Sequence, residues 1–149
     1  MEAVIFMGIQ ASGKSTFYRD RFFNTHMRIN LDMLKTRHRE KIIFRACLEA
    51  KQRFVIDNTN PTIADRERYI PQAKEKGFYI VGYYFYPDLE ACKQRNQKRS
   101  PKQIIPLGGI LATYKKLKVP SYKEGFDKLY SVKIGPNNSF IVDNWKLEI

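Results

Sequence analysis

The stretch Gly8-Ile9-Gln10-Ala11-Ser12-Gly13-Lys14-Ser15 has the spacing G-x-x-x-x-G-K-S, the pattern of a loop that wraps around phosphate. The apolar run at residues 3–7 precedes it and is typical of a buried parallel strand, and the apolar side chains of residues 14–23 are spaced like one face of a helix. The alternative is a glycine turn that happens to carry Lys-Ser. Since a strand, this loop and a helix follow one another, the sequence favours a phosphate site.

The loop predicts how a nucleoside triphosphate would be held. Its glycines allow backbone N–H groups to point inward at a phosphate, at the positive end of a helix dipole. We expect Lys14 to reach the β- and γ-phosphates and the Ser15 hydroxyl to hold Mg²⁺. The predicted ligands are therefore ATP, or another nucleoside triphosphate, and magnesium. The residues expected to bind the nucleotide in this loop are Gly8, Ser12, Gly13, Lys14, Ser15 and Thr16.

Alternating apolar and helical patterns predict the rest of the fold. The strand candidates are residues 3–7, 27–29, 54–56, 79–85 and 129–134, with a further edge strand at 139–142. The helix candidates are residues 14–23, 33–51, 62–76, 88–99 and 107–117. The sequence predicts a doubly wound α/β domain of the P-loop class, with a mostly parallel sheet of about five strands and helices on both faces. Ligands of such a sheet bind at the carboxyl ends of its strands.

Length and cysteine content indicate a single cytoplasmic domain. A chain of 149 residues has no room for a second core, and residues 1–149 are interpreted as one domain. No segment approaches the ~20 apolar residues that span a bilayer, and the first strand begins too early for a leader peptide. Cys47 and Cys92 have no metal-like spacing and are expected to be reduced thiols.

The charge balance indicates a polyanionic partner. The 27 Lys and Arg residues against 15 Asp and Glu residues give a net charge of +12. A kinase of small neutral metabolites does not need this excess, whereas a nucleic-acid-binding protein does. A generally basic surface that aids solubility is the alternative. The clustering of the charge favours the polyanion.

Asp32 follows the second strand and is expected at the carboxyl edge of the sheet, beside the phosphate loop. A carboxylate there could accept the proton of an attacking hydroxyl group. Asp is also among the best helix N-cap residues, and its position alone leaves both interpretations open. Lys35, one turn further along, is a candidate contact for a phosphate of the acceptor.

Cations recur on the helix predicted at 33–51. Arg37, Lys41 and Arg45 occur at every fourth residue and form a stripe, with Lys35 and Arg39 on an adjacent face. Like charges at this spacing repel by roughly 0.2–0.5 kcal/mol per pair, so the arrangement is mildly unfavourable without an anion. A solvated helix face is the alternative.

The third strand ends in polar residues. Asp57 could hold the magnesium shell through water or orient Ser15, and Asn58 is a further candidate for a substrate contact. Thr59 and Asn60 precede Pro61 and are expected to cap the next helix.

Arginines near residues 95–106 suggest a lid. Arg95 and Arg99 lie four residues apart beside the irregular segment 100–106, which is expected to be mobile. An arginine from a closing lid can neutralise charge on a transferred phosphoryl group. The alternative is a solvated helix end, where cations favour the helix dipole.

In this order, the motifs resemble the polynucleotide 5′-hydroxyl kinase family, which includes the kinase domains of phage-type and animal polynucleotide kinase/phosphatases. The resemblance rests on residues 8–16, 29–32, 54–61 and 95–99, with a further likeness at 119–126. It implies that Asp32 is the general base for a 5′-hydroxyl, that Arg99 is the lid arginine and that Arg95 lies near the nucleotide. Where the phage-type member has an Arg that contacts the acceptor phosphate, this chain has Lys35.

The resemblance implies ATP-dependent phosphorylation of 5′-hydroxyl ends of DNA or RNA. The phosphatase signature D-x-D-G-T of several relatives is absent from the sequence. One alternative is a P-loop kinase of a small hydroxylated metabolite or nucleoside. Another is a non-catalytic, nucleotide-gated nucleic-acid-binding module.

Overall fold

A six-stranded sheet forms the centre of the protein, in a computed structural model that describes residues 1–146. The strands are β1 (Glu2–Met7), β2 (Met27–Ile29), β3 (Phe54–Ile56), β4 (Tyr79–Phe85), β5 (Lys128–Ile134) and β6 (Phe140–Asn144). Their spatial order is β2-β3-β1-β4-β5-β6, in which β6 alone is antiparallel to its neighbour. The predicted mostly parallel sheet is confirmed, and the predicted edge strand is β6.

The helices lie mostly where the apolar patterns predict them. They are α1 (Lys14–Arg21), α2 (Leu31–Leu34), α3 (Arg37–Ala50), α4 (Ile63–Glu67), α5 (Ile70–Glu75), α6 (Leu89–Gln97) and α7 (Leu107–Lys116). Short 3₁₀ helices cover Tyr122–Glu124 and Pro136–Asn138. Among these described helices, none is long and apolar enough to cross a membrane.

Two of the predicted helices are wrong because each is divided. The helix predicted at 33–51 breaks at Lys35, whose φ is 75°, and Thr36 then caps α3 by accepting the N–H of Arg39 at 3.1 Å. The helix predicted at 62–76 ends after α4 and restarts as α5. Pro71 lies in the first turn of α5, where its missing N–H removes no helical hydrogen bond.

Helices cover both faces of the sheet, as predicted. Successive side chains of β1 point to opposite faces. Ile5 and Met7 pack into a core cluster with residues of α3 and α5, whereas Val4 and Phe6 pack with Phe17 of α1. Because both faces are buried, β1 is a continuous apolar run rather than an alternating one. The carboxyl ends of the parallel strands then share one edge, at which the phosphate loop lies.

Candidate active site

The phosphate loop joins β1 to α1, and glycines allow its tight path. A Cβ at Gly8 would lie 2.8 Å from the Cβ of Phe85, so a side chain has no room there. Gly13 has a φ of 96°, which favours glycine, and it directly precedes the first residue of α1. The Gly8 N–H donates to the Thr59 carbonyl at 3.0 Å and fastens the loop to the end of β3. The free N–H groups of α1 therefore begin at this loop, as an anion site requires.

Lys14 lies buried within the loop. Its Nζ donates to the carbonyls of Ile9 at 2.7 Å and Gly8 at 3.0 Å. Burial lowers the pKa of Lys14 from its ordinary 10.5 to about 8, and the nearby Asp57 carboxylate opposes this shift. The Lys14 ammonium is thus desolvated before any phosphate binds, and a phosphate oxygen nearby would favour its protonated form.

We expect ATP affinity to fall as pH rises above about 8, because Lys14 then loses its proton in the free protein. Phosphate binding favours the charged ammonium, so binding above this pH takes up a proton. One linked proton weakens affinity by about tenfold per pH unit above the pKa. Calorimetric titration of ATP in EDTA, from about pH 7 to about pH 9.5, measures this. The control is Lys14→Arg, whose charge persists and whose profile should be flat. A flat wild-type profile would contradict the assignment.

Ser15 and Asp57 meet at the start of α1 and the end of β3. The Ser15 hydroxyl donates to Asp57 Oδ2 at 3.1 Å, and Asp57 is only 2% exposed. Arg28 on β2 donates to the same oxygen at 2.8 Å and to Ser15 Oγ at 2.9 Å. Sequence reasoning missed Arg28. The sequence signal for its role is an arginine between the apolar residues Met27 and Ile29 of a short strand.

The structure shows whether Asp32 caps the helix that follows β2. Asn30, not Asp32, caps α2, because its Oδ1 accepts the Met33 N–H at 2.9 Å. The capping interpretation of Asp32 is therefore wrong. Asp32 is exposed, borders the main cavity and makes no hydrogen bond or ion pair to any of residues 1–146. Its carboxylate is free to act on a ligand.

A buried polar network holds the segment that carries Asp32. Asn58 Oδ1 accepts the Leu31 N–H at 2.8 Å, and Asn58 Nδ2 donates to Glu40 at 2.8 Å. The Tyr69 hydroxyl donates to the same Glu40 oxygen at 3.1 Å. Burial, with a further contribution from the Glu40 charge, raises the pKa of Tyr69 to about 12. The predicted substrate contact Asn58 thus engages its amide within the protein, where it positions α2.

Arg37 joins this network and borders the cavity. Its Nη1 donates to Glu40 at 2.8 Å and to the Tyr69 hydroxyl at 3.1 Å. Lys35, the predicted contact for an acceptor phosphate, is exposed and lies outside the cavity lining. The φ of 75° at Lys35 ends α2 there, and the chain brings Arg37 to the cavity instead. Sequence reasoning missed the roles of Glu40 and Tyr69, whose partners lie far away in the chain.

The predicted caps Thr59 and Asn60 have other roles. Thr62 caps α4: its hydroxyl accepts the Asp65 N–H at 3.1 Å, and Asp65 Oδ2 accepts the Thr62 N–H at 3.2 Å. Asn60 instead donates through Nδ2 to the Phe6 carbonyl at 2.9 Å, with a φ of 44°. Its side chain therefore ties the end of β3 to β1 rather than starting a helix.

The arginines predicted for the lid differ in their surroundings. Arg95 Nε donates to the Ala11 carbonyl at 2.7 Å, which holds α6 against the phosphate loop. Arg99 borders the cavity, and the one hydrogen bond of its guanidinium within residues 1–146 is a 3.5 Å contact to the Gln103 carbonyl. Asn96 bonds both the N–H and the carbonyl of Ile105, closing the base of the irregular segment. A lid motion of this segment stays a prediction.

The predicted residues largely surround one cavity of about 460 Å³ at the strand ends. The charged side chains that line it are Lys14, Asp32, Arg37, Asp57, Asp65, Arg99 and Lys116. Cations, carboxylates and helix N–H groups in one concave site can hold phosphates and activate a hydroxyl group. This loop, sheet order and cavity define a P-loop kinase.

Comparison with known proteins agrees with this class. The chain belongs to the AAA domain family, which matches residues 35–110. A bifunctional polynucleotide phosphatase/kinase of Schizosaccharomyces pombe is 30% identical over 139 residues, which cover 88% of this chain and 33% of the relative. A putative bifunctional polynucleotide phosphatase/kinase of Acanthamoeba polyphaga mimivirus is 31% identical over 153 residues. This alignment covers 97% of this chain and 36% of the relative. The chain spans about a third of the length of these curated relatives.

Solved structures confirm the predicted fold class. Chaetomium thermophilum Kti12, in complex with ADP-AlF3, superposes with a TM-score of 0.63 at 15% identity, covering 88% of each chain. A gluconokinase from Sinorhizobium meliloti 1021 superposes with a TM-score of 0.61 at 15% identity, covering 89% of this chain and 82% of that one. At such identity the likeness concerns the fold alone. The resemblance to polynucleotide kinases rests on the curated relatives, and the assignment of residues 1–149 to one domain stays a prediction.

Proposed function

We propose that this protein transfers the γ-phosphoryl group of ATP to the 5′-hydroxyl end of a polynucleotide. The observation that carries the proposal is the placement of Asp32. Its carboxylate is exposed and free of partners within residues 1–146, yet it borders the same cavity as Lys14 and Ser15. A base for the acceptor and a cradle for the donor phosphates thus share one site.

The transfer needs one bond to form and one to break. The 5′-oxygen of the acceptor attacks the γ-phosphorus, and the bond from that phosphorus to the bridging oxygen breaks, so ADP leaves. The proton of the hydroxyl passes to the Asp32 carboxylate. Lys14 and the N–H groups of the loop hold the phosphates, and Arg99 neutralises charge on the transferred group.

The donor atoms beside the loop fit magnesium. Ser15 offers a hydroxyl oxygen, and Asp57 offers Oδ1, which has no hydrogen bond to any of residues 1–146. Hard oxygen ligands of this kind suit Mg²⁺. Ser15 would hold the ion directly and Asp57 through water, and the bound ion supplies neutralisation of the phosphate charge. Arg28 bonds both side chains and would have to release Ser15.

Two features support a polynucleotide acceptor over a small metabolite. The curated relatives are named polynucleotide phosphatase/kinases. The net charge of +12 favours a polyanion, and Arg37 adds a cation to the cavity that Asp32 also borders.

The proposal is tested by measuring ADP release with a panel of acceptors. A 5′-hydroxyl oligonucleotide should stimulate turnover, the same oligonucleotide with a 5′-phosphate should not, and stimulation should weaken steeply as salt rises. Turnover with sugars or nucleosides that is indifferent to moderate salt would support a small-metabolite kinase instead. Binding of the oligonucleotide without ADP release would support a non-catalytic module. Either outcome would refute the proposal.

Arg99→Ala should lower turnover far more than stability. Loss of one group that stabilises the transferring phosphoryl group reduces turnover by about 10²-fold. Because the Arg99 guanidinium makes only a 3.5 Å contact within residues 1–146, the free energy of unfolding should change by less than about 0.5 kcal/mol. Lys98→Ala, at an exposed neighbour, is the matched control. A large fall in melting temperature for Arg99→Ala would assign it a structural role.

A further inference from the structure

Helix α3 carries cations at the end where its own dipole disfavours them. Arg37, Arg39 and Lys41 lie in the first half of the helix, near the positive pole. The last turn, where cations would be favoured, has none. On α7 the reverse holds, since Lys115 and Lys116 lie in the last turn and need no further explanation. Glu40 of the same helix pairs with Arg37, whereas Arg39 and Lys41 have no ion pair within residues 1–146. An anion from outside the helix would therefore stabilise this end of α3.

Three cations of α3 form a row that begins at the cavity. Arg37, Lys41 and Arg45, here called the α3 stripe, are each one helical turn apart, with a rise of about 6 Å per step. Arg37 borders the cavity, whereas Lys41 and Arg45 are exposed. Neither of the latter makes a side-chain hydrogen bond or ion pair within residues 1–146. The stripe thus leads from the active site outward over the surface.

The orientation of the stripe is fixed by packing. Phe44, Cys47 and Leu48 of α3 are buried in the core cluster, so the helix cannot rotate to present another face. Only one nitrogen of the Arg37 guanidinium is engaged within the described chain, since Nη1 donates to both Glu40 and Tyr69. The remaining guanidinium donors can take a phosphate oxygen.

We propose that the α3 stripe binds successive phosphates of the acceptor strand. Arg37 takes the phosphate nearest to the reacting end, and Lys41 and Arg45 take the phosphates that follow. This inference rests on the proposed function and identifies the path of the substrate. A row of cations about 12 Å long exceeds the reach of one phosphate, so the fitting ligand is a strand. Contacts of this kind fix position without reading sequence, so binding is independent of base identity.

The length of the acceptor provides the test. Two acceptors are compared, a nucleoside 3′-monophosphate and a single-stranded hexanucleotide, both with a free 5′-hydroxyl. The wild-type KM should be lower for the hexanucleotide, which alone reaches the outer part of the stripe. In Lys41→Ala/Arg45→Ala the ratio of the two KM values should fall towards one. Lys76→Ala/Lys123→Ala, an equal change of charge at exposed residues outside the cavity lining, should keep the wild-type ratio.

Salt dependence gives a second readout. The logarithm of hexanucleotide affinity falls with the logarithm of salt concentration, by about 0.7 per phosphate contact for a single strand. The stripe variant should therefore lose about 1.4 from the wild-type slope, and the control variant should lose none. Fluorescence anisotropy of a 3′-labelled hexanucleotide measures this.

Failure of the α3 stripe as the substrate path and failure of the proposed function give different results. If wild-type protein phosphorylates both acceptors but the stripe variant keeps the wild-type KM ratio and salt slope, the α3 stripe is not the path. If wild-type protein phosphorylates neither acceptor, the proposed function itself fails.

Discussion

Replacing Asp32 with Asn should reduce turnover by about 10²–10⁴-fold and leave ATP affinity unchanged, because an amide cannot accept the proton of the attacking hydroxyl. The side chain is exposed and without partners among residues 1–146, so the free energy of unfolding should change by less than about 0.5 kcal/mol. Single-turnover kinetics, ATP titration and urea unfolding measure the three quantities.

Asn30→Ala is the matched control, because Asn30 is the residue that caps α2. Loss of the cap should lower the free energy of unfolding by about 0.5–2 kcal/mol, and loss of the bond from Asn30 Nδ2 to the Asp57 carbonyl, 2.6 Å long, should add to this. The two variants should therefore separate chemistry from folding. A parallel loss of ATP affinity and turnover in Asp32→Asn would remove Asp32 from the role of base.

Arg66→Met should cause the largest loss of stability. The Arg66 side chain is fully buried, and its Nη1 bonds both carboxylate oxygens of Glu124, at 3.2 and 3.1 Å. Its other nitrogens donate to the carbonyls of Asn60, Pro61 and Lys118. Breaking a buried ion pair from one side costs about 3–5 kcal/mol, since the partner charge stays buried and unpaired. Total stabilities are about 5–15 kcal/mol, so the loss is severe.

The matched control for Arg66 is an exposed ion pair. Lys74 and Asp127 lie 3.0 Å apart with side chains 44% and 31% exposed, and Lys74→Met should cost less than about 1 kcal/mol. Adding Glu124→Gln to Arg66→Met should recover part of the loss, because the unpaired charge is removed. A loss for Arg66→Met no larger than that of Lys74→Met, measured by urea unfolding, would contradict this account.

The parts of the fold that depend on local pattern could be predicted from the sequence. The apolar run of β1, the glycines of the loop and the start of α1 are encoded within residues 2–21, and their positions agree with the prediction. The break between α2 and α3 could not be predicted, since it depends on the φ of 75° at Lys35 and on the capping hydroxyl of Thr36. Residues 35–41 are all polar, so no apolar spacing there shows where one helix ends and the next begins.

The candidate site was only half predictable for a related reason. The phosphate loop is contiguous, whereas the acceptor side depends on pairs distant in the chain. Glu40 meets Asn58 and Tyr69 across 18 and 29 positions, and these contacts orient Arg37 and the segment of Asp32. A single sequence gives no signal for such pairings, so it does not show that Arg37, rather than the predicted Lys35, borders the cavity.

The position of the transferred phosphate identifies the reaction. The protein is incubated with γ-labelled ATP, magnesium and an oligonucleotide that has free hydroxyls at both ends, and the product is digested to nucleotides. We expect label only in the 5′-phosphate of the first nucleotide. Label at any other position, or no label in the oligonucleotide, would contradict it.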